Sequence, residues 1–198
     1  EDTDKERSED QFIDAIMEGL DWVGLNPDFD PIKQSERFDI YKEEATRLMD
    51  LGKAYEDEGA VRLQVKREGS TLVKDLVYGD IEFLNSELDD IVILRSDGSP
   101  TYHFCNVIDD NSQGVSHIIR GEDHLPNTPK QIQIVNALGY EDFQYAHLPL
   151  VLGEDKKRLS KRHAATDLMT YKNLGYLPEA VKNTLTRLGW SKGDKEIF

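Results

Sequence analysis

Two short segments in the last third of the chain combine residue types that can bind charged substrates. The first, residues 120–124, places an arginine before a glycine, two carboxylates and a histidine. The second, residues 156–162, carries five cations within seven residues. Together they suit a ligand with a polyphosphate and a ligand with a small charged group. Both segments also have a purely structural interpretation. The first is typical of a surface ion-pair cluster of little energetic value, and the second is typical of a solvated loop.

The sequence around these segments predicts how the fold positions them. A β-branched run at 115–119 precedes a helix from Thr128 to Gly139, and a second apolar run follows at 146–152. Strand, helix and strand in this order predict a βαβ unit with two parallel strands and a right-handed crossover. In open parallel sheets ligands bind beyond the carboxyl ends of the strands, where both segments begin. Because no Walker loop and no G-x-G-x-x-G occurs, side chains would have to hold a phosphate.

The first two thirds of the chain predict helices and then short antiparallel strands. Apolar residues at helical spacing predict helices at 8–24 and 35–51, and a final helix is predicted from Pro178 to Leu188. An Asp97-Gly98 hairpin signal predicts that 101–108 is a strand paired with the preceding one. The other β-like runs lie at 61–66, 71–78, 80–84 and 91–95. The predicted parts are a helical part at 1–52, a connecting antiparallel β region at 53–110 and the second half of an α/β domain at 111–198.

Composition and charge exclude several classes of protein. The chain has one cysteine, Cys105, which excludes an intramolecular disulfide and a cysteine-cluster zinc site, and we expect this residue to be buried. The five histidines show no ligand spacing on one element, so we expect no metal, and His117 and His147 are expected to be packed. No apolar run approaches the roughly 20 residues of a membrane span. The net charge of −15 argues against indiscriminate nucleic-acid binding but allows a specific RNA contact.

Longer stretches, read in order, resemble the catalytic region of the glutamyl-tRNA synthetases, a family of class I aminoacyl-tRNA synthetases. Leu159-Ser160-Lys161-Arg162 is similar to the mobile KMSKS loop of that class. The other matching stretches are Glu1-Asp2-Thr3-Asp4, Gln34-Ser35-Glu36-Arg37, 96–102, 106–110, 117–125, 147–149, 175–177 and 188–191. The resemblance implies an α/β fold, namely part of a class I synthetase Rossmann-like nucleotide-binding domain with a parallel βαβ unit and an inserted short antiparallel β region.

The resemblance also implies an activity and its partners. It implies that ATP, accompanied by Mg²⁺, activates L-glutamate to glutamyl-adenylate, and that the glutamyl group then moves to the 3′ end of tRNA(Glu). We further expect a cytoplasmic monomer without membrane contact and without structural zinc. A close variant charges tRNA for glutamine as well. Two alternatives stay open, a shorter paralogue that glutamylates a modified tRNA base and a folded fragment that binds partners without catalysis.

Individual roles follow from the same resemblance. It implies a glutamate pocket formed by Glu1, Tyr102, Asn106 and Arg120. Arg120 suits the side-chain carboxylate of the substrate because a guanidinium offers a bidentate fork. Tyr102 and Asn106 lie four apart on the predicted strand and so share a face. Residues implied in ATP binding are Asp123, His124, Arg158, Leu159, Ser160, Lys161 and Arg162. Among them, Lys161 and Arg158 would be catalytic, because their charge stabilises the α-phosphate and the departing pyrophosphate.

The sequence departs from the family in three places. No HIGH-type motif occurs, although the family carries one upstream of the stretch that matches 1–4, so we expect these 198 residues alone to form glutamyl-adenylate poorly. The tRNA acceptor-binding insertion is short between 52–55 and 59–62, which leaves no room for a zinc-bearing module. The chain also stops before the stem-contact and anticodon-binding domains, so the sequence is expected to be the ordered or excised part of a longer chain.

Overall fold

The seven strands that the structure describes all belong to the first of two compact units of the chain. The computed structural model describes residue 2, residues 10–153, residue 156 and residues 167–197. The first unit contains Lys33–Leu148 together with the N-terminal residues up to Arg7, and the second contains Ser8–Ile32 and Pro149–Phe198. The predicted division at 52 and 110 stays a prediction.

The strands of the first unit form two sheets. An antiparallel sheet has the order β1-β2-β5, with β1 at Ala54–Asp57, β2 at Ala60–Leu63 and β5 at Ile91–Leu94. A mixed sheet has the order β4-β3-β7-β6, with β3 at Ser70–Asp75, β4 at Gly79–Leu84, β6 at His117–Gly121 and β7 at Gln144–Leu148. The antiparallel strands predicted from alternation are therefore present, and β1 is a strand that the sequence patterns did not predict.

The mixed sheet contains the predicted βαβ unit. Strands β6 and β7 pair in parallel, and helix α4, Thr128–Leu138, connects them. Pro129 fits the first turn of α4 because that turn has amide groups without helical partners, and Gly139 ends the helix at a φ of 74°. Strand β3 also pairs in parallel with β7, through Asp75 and Tyr145. The end of β3 therefore lies beside the strand that follows α4.

Two further helices complete the first unit. Helix α2 runs Phe38–Asp50 after a 3₁₀ turn at Gln34–Glu36, close to its predicted span, and helix α3 runs Tyr102–Ser112. The core of the unit includes the fully buried side chains of Tyr41, Leu48, Ile93, Phe104, Cys105 and Ile134. Cys105 is buried, as predicted.

Helix α3 corrects the sequence prediction of a strand at 101–108. The Asp97-Gly98 turn does form, but it leads to a single bridge between Leu94 and Pro100 before the chain becomes helical. The buried residues of α3 are Phe104, Cys105, Val107, Ile108 and Asp109. Adjacent buried residues repeated at this spacing follow a helical period and not the alternation of a half-buried strand.

The second unit is helical in its described residues. Helix α1 runs Asp10–Trp22, α5 runs Leu168–Asn173 and α6 runs Pro178–Gly189, which confirms the described part of the first and last predicted helices. Lys172 donates a hydrogen bond to Glu18 over 3.2 Å, which links α5 to α1. None of the described helices is both long and apolar enough to cross a membrane.

A two-residue turn joins β1 to β2. Glu58 has a φ of 50° and Gly59 a φ of 80°, while Asp57 and Ala60 face each other in the ladder. Positive φ at both central residues defines a type I′ turn, whose hand matches the twist of the two strands. Glycine adopts this conformation without strain, but glutamate at position 58 does not.

We expect Glu58→Asn to raise the free energy of unfolding by about 0.5–1 kcal/mol, because asparagine tolerates the left-handed region and favours type I′ turns. Urea unfolding of both proteins measures the difference. Glu56→Asn is the matched control, since Glu56 is equally exposed but lies within strand β1. Glu56→Asn should leave the free energy of unfolding unchanged or lower it. Equal effects of the two substitutions would contradict the strain at Glu58.

Candidate functional site

Three polar side chains form a stripe along α3. Tyr102, Asn106 and Asp110 lie four residues apart and are partly exposed, whereas the residues between them on the other faces are mostly buried. Residues spaced by four share one face of a helix. Tyr102 and Asn106 therefore share a face as predicted, although they do so on a helix and not on a strand.

Arg120, on β6, lies beside this stripe. Its guanidinium is within hydrogen-bonding reach of the Tyr102 hydroxyl and interacts electrostatically with both Tyr102 and Asp110. Burial lowers the pKa of Arg120, while the nearby Tyr102, Tyr145 and Asp110 favour the charged form. Since Asn106 lies between Tyr102 and Asp110 on α3, the structure brings three of the four predicted glutamate-pocket residues to one region.

Buried partners fix the direction of Arg120. Its Nε donates to His147 Nε2 over 3.1 Å, and its Nη2 donates to Thr128 Oγ1 over 2.8 Å. The guanidinium carbon lies 6.0 Å from the centre of the Tyr145 ring. Both His147 and Thr128 are 0% exposed. His147 is packed, as the sequence predicted, but its contact with Arg120 is a role that the prediction missed. The same prediction is wrong for His117, which is exposed at the start of β6.

Asp75 supports His147 from the neighbouring strand. Its Oδ2 lies 2.6 Å from His147 Nδ1, and its carboxylate also accepts the backbone N–H groups of Val77, Tyr78 and His147. Burial opposes ionisation of Asp75, but the donors from Tyr78, His147 and Val77 outweigh it and hold the pKa of this carboxyl below its usual value. Asp75 is therefore an anionic anchor at the end of β3.

A second network holds Asn106. Gln34 Nε2 donates to Asn106 Oδ1 over 3.2 Å and to Asp109 Oδ2 over 2.9 Å. Asp109 also accepts from Arg37 Nε and from the Tyr41 hydroxyl, the closer contacts being 2.9 and 2.8 Å. With its oxygen facing Gln34, Asn106 can present its amide N–H groups to a ligand. The Gln34–Arg37 stretch, identified from the sequence by resemblance alone, thus holds one of the predicted pocket residues in place.

His124 joins Tyr102 from the turn that follows β6. The 3₁₀ segment Glu122–Asn127 carries Asp123 and His124, and His124 Nδ1 lies 3.3 Å from the Tyr102 hydroxyl. Asp123 is exposed. The ATP-binding role predicted for both residues stays a prediction. The remaining predicted site residues, Glu1 and Arg158, Leu159, Ser160, Lys161 and Arg162, lie outside the described residues.

The electrostatic potential around these residues suits an anion. Burial, together with the positive charges of Lys130, Arg120 and His124, lowers the pKa of His103 to about 4. His103 is therefore neutral at pH 7, and among the described residues its buried Nδ1 has no hydrogen-bond partner. Among the described residues, no group of three or more His, Cys, Asp or Glu side chains could hold a metal ion. Tyr102, Asn106 and Arg120 can together bind a carboxylate.

Asp110 is the acidic neighbour of this region, and the sequence did not single out its ionisation. Burial and the adjacent Asp109 raise its pKa to about 6 from 3.8, while Arg120 acts in the opposite direction. The folded protein therefore keeps the proton of Asp110 at pH values where the unfolded chain has lost it. The stability that this provides is complete below about pH 4 and is lost as the pH rises through about 6.

We expect Asp110→Asn to gain stability relative to wild type as the pH rises from 4.5 to 7.5, by about 1–3 kcal/mol, because asparagine cannot ionise. Urea unfolding at the two pH values measures the change. The control is Asp89→Asn, since the side chain of Asp89 is 100% exposed and its 3.6 Å contact with Arg67 is a surface ion pair of little energetic value, so we expect a much smaller change between the two pH values. A difference for Asp110→Asn that is constant between the two pH values would contradict the raised pKa.

The sequence model of the family described as class I tRNA synthetases (E and Q), catalytic domain, matches residues 1–60 and 56–198. These two matches cover the whole chain and meet at the β1–β2 hairpin. The chain is also 46% identical to a glutamate–tRNA ligase of Thermodesulfovibrio yellowstonii over 234 residues, which cover 100% of this chain and 50% of that protein. A glutamate–tRNA ligase of Trichlorobacter lovleyi is 45% identical over 235 residues, with the same coverage.

Among solved structures, a glutamate tRNA ligase of Elizabethkingia meningosepticum, crystallised in complex with its amino acid, superposes with a TM-score of 0.85. It is 29% identical, and the match covers 99% of this chain and 54% of that one. The chain thus spans about half the length of the curated relatives it matches. An alignment of 234 positions against 198 residues leaves at least 36 positions of the relative without a counterpart here.

Proposed function

The chain belongs to the class I tRNA synthetases for glutamate and glutamine, in the region of their catalytic domain, and on this premise we propose that it forms the core of a glutamate–tRNA ligase. The α/β fold is that of the family. The proposal concerns the whole protein of which this catalytic region is a part. Its substrates are L-glutamate, ATP and tRNA(Glu).

The proposed reaction has two steps. An oxygen of the glutamate α-carboxylate attacks the α-phosphorus of ATP, the bond to the bridging oxygen breaks, and pyrophosphate leaves. A hydroxyl at the 3′ end of the tRNA then attacks the carbonyl carbon of the adenylate, and AMP leaves. The protein supplies position and charge in both steps and no covalent nucleophile.

The carrying observation is the partly buried guanidinium of Arg120 beside Tyr102 and Asn106. Asp110 interacts with it electrostatically, but the hydrogen-bond partners that the structure gives this guanidinium, His147, Thr128 and Tyr102, are not carboxylates, and taking a charge out of water without such a partner is costly. An anionic group of the substrate would complete the site. We assign this role to the side-chain carboxylate of glutamate, which a guanidinium can bind through two parallel hydrogen bonds.

The nucleotide is proposed to lie on the other side of Tyr102. Asp123 and His124 follow β6 at the carboxyl end of a parallel strand, where nucleotides bind in folds of this type. From the resemblance of Leu159-Ser160-Lys161-Arg162 to the KMSKS loop, we propose that Lys161 and Arg158 stabilise the charge that develops on the phosphates. Mg²⁺ would accompany ATP and neutralise part of the phosphate charge. We further propose a cytoplasmic monomer.

The test is glutamate-dependent exchange of pyrophosphate into ATP by the native protein that carries this sequence, followed by charging of tRNA(Glu). We expect exchange with glutamate and little with glutamine or aspartate. Absence of glutamate-dependent exchange in a folded protein would overturn the proposal. Exchange with transfer only to a modified base of tRNA would instead identify the shorter paralogue.

A further inference from the structure

We propose that His147 is a positioning residue, which directs Arg120 toward the carboxylate of the substrate. The proposal rests on the proposed function for the identity of that substrate. The geometry of the contact between His147 and Arg120 is independent of the proposed function, because all contacts of His147 lie within the first unit.

The contacts occupy one edge of the guanidinium and leave another for the ligand. The Nε–H and one N–H of Nη2 are held by His147 Nε2 and Thr128 Oγ1, two atoms that lie 3.1 Å apart. A guanidinium has five N–H groups in a planar fork, so three groups, two on Nη1 and one on Nη2, are not used by these contacts. These groups remain for the Tyr102 hydroxyl, which is within hydrogen-bonding reach of the guanidinium, and for a carboxylate, which needs two of them.

The same contacts define the proton on His147. Arginine stays protonated and can only donate, so Nε2 of His147 must accept and carries no hydrogen. The ring proton is therefore on Nδ1, where it is donated to Asp75 Oδ2 over 2.6 Å. Asp75 thus selects the tautomer that offers Arg120 an acceptor, as carboxylates do for other buried histidines.

A neutral acceptor has a specific advantage at this position. It fixes the guanidinium without neutralising it, so the positive charge remains available to the substrate. A carboxylate in place of His147 would hold Arg120 as firmly but would compete with the anionic ligand. Burial of Asp75, His147 and Thr128 on β3, β7 and α4 makes the arrangement rigid, since these groups lie on regular elements and not on loops.

Two substitutions separate positioning from packing. His147→Gln can place its side-chain oxygen near the position of Nε2 and so keep an acceptor, whereas His147→Met has similar bulk without one. We expect His147→Met to raise the KM for glutamate by roughly tenfold or more, because a 1 Å misplacement can cost up to about a hundredfold. His147→Gln should recover most of this loss, and the KM for ATP should stay unchanged in both variants. Equal effects of the two substitutions, or a matching rise in the KM for ATP, would overturn the proposal.

Nuclear magnetic resonance of the wild-type protein labelled with ¹⁵N-histidine tests the geometry without reference to activity. We expect His147 to show a protonated Nδ1 and an unprotonated Nε2 at pH 7. A proton on Nε2 would exclude the contact with Arg120 and overturn the proposal, even in an active enzyme. If the native protein activates no glutamate, the proposed function fails, and this spectrum alone decides whether His147 holds Arg120.

Discussion

Arg120→Gln is expected to reduce the preference for glutamate over glutamine by roughly ten- to a hundredfold. The substitution removes a charge-assisted hydrogen-bonded pair, worth about 1.5–3 kcal/mol, and each 1.4 kcal/mol corresponds to a factor of ten. Glutamine lacks the negative charge and should lose little, so the ratio of the two kcat/KM values changes. Pyrophosphate exchange with each amino acid gives this ratio.

Arg62→Gln is the matched control for this measurement. Arg62 lies on β2 in the other sheet of the unit, where its Nε is 2.8 Å from an Asp57 oxygen. The same change of residue type there should leave the ratio unaltered. A ratio that Arg120→Gln also leaves unaltered would show that the specificity of this site comes from another residue.

Lys161→Ala is expected to slow adenylate formation by about a hundred- to a thousandfold, the usual cost of removing one group that stabilises transition-state charge. The KM for glutamate should change little, because the loop acts on the phosphates and not on the amino acid. The prediction rests on the resemblance of Leu159-Ser160-Lys161-Arg162 to the KMSKS loop. Single-turnover kinetics with ATP and glutamate separates the two effects.

Lys156→Ala tests whether the position or merely the charge of the loop matters. Lys156 belongs to the same run of cations but precedes the matching motif by three residues. We expect less than a threefold effect from a surface lysine that contacts no reacting atom. Comparable losses in the two variants would favour a general attraction for ATP over a specific contact of Lys161 with the phosphates.

Local sequence patterns predicted most of the helices and strands, but they missed β1 and assigned helix α3 as a strand. The βαβ unit was predictable because Thr128, Pro129 and Gly139 mark the helix ends, with a β-branched run before the helix and an apolar run after it. Helix α3 was not, because the Asp97-Gly98 turn indicated a hairpin and the following residues include apolar ones at both spacings. A turn signal shows that the chain reverses direction, but it does not show how much of the next segment pairs.

The residues that support the site could not be predicted from local patterns. Gln34 and Asp109 are 75 positions apart, and Asp75 and His147 are 72 positions apart. Neither pair shares a motif, and a buried histidine on a strand is more often a packing residue. The proposed pocket residues Tyr102, Asn106 and Arg120 were accessible only through the resemblance, since the residue types alone made a surface ion-pair cluster the default interpretation of 120–124.

The type I′ turn at Glu58 and Gly59 has a consequence for how proteins of this family can differ in length. The chain enters the turn at Asp57 and leaves it at Ala60, and these two residues are paired neighbours. A segment of any size whose own ends lie close together could be inserted between them while every other strand keeps its register. The two family matches meet here, and the curated relatives carry at least 36 additional residues. This hairpin is therefore a position at which a whole module can be gained or lost during evolution. For the same reason, it is a suitable position at which to insert a foreign domain by design.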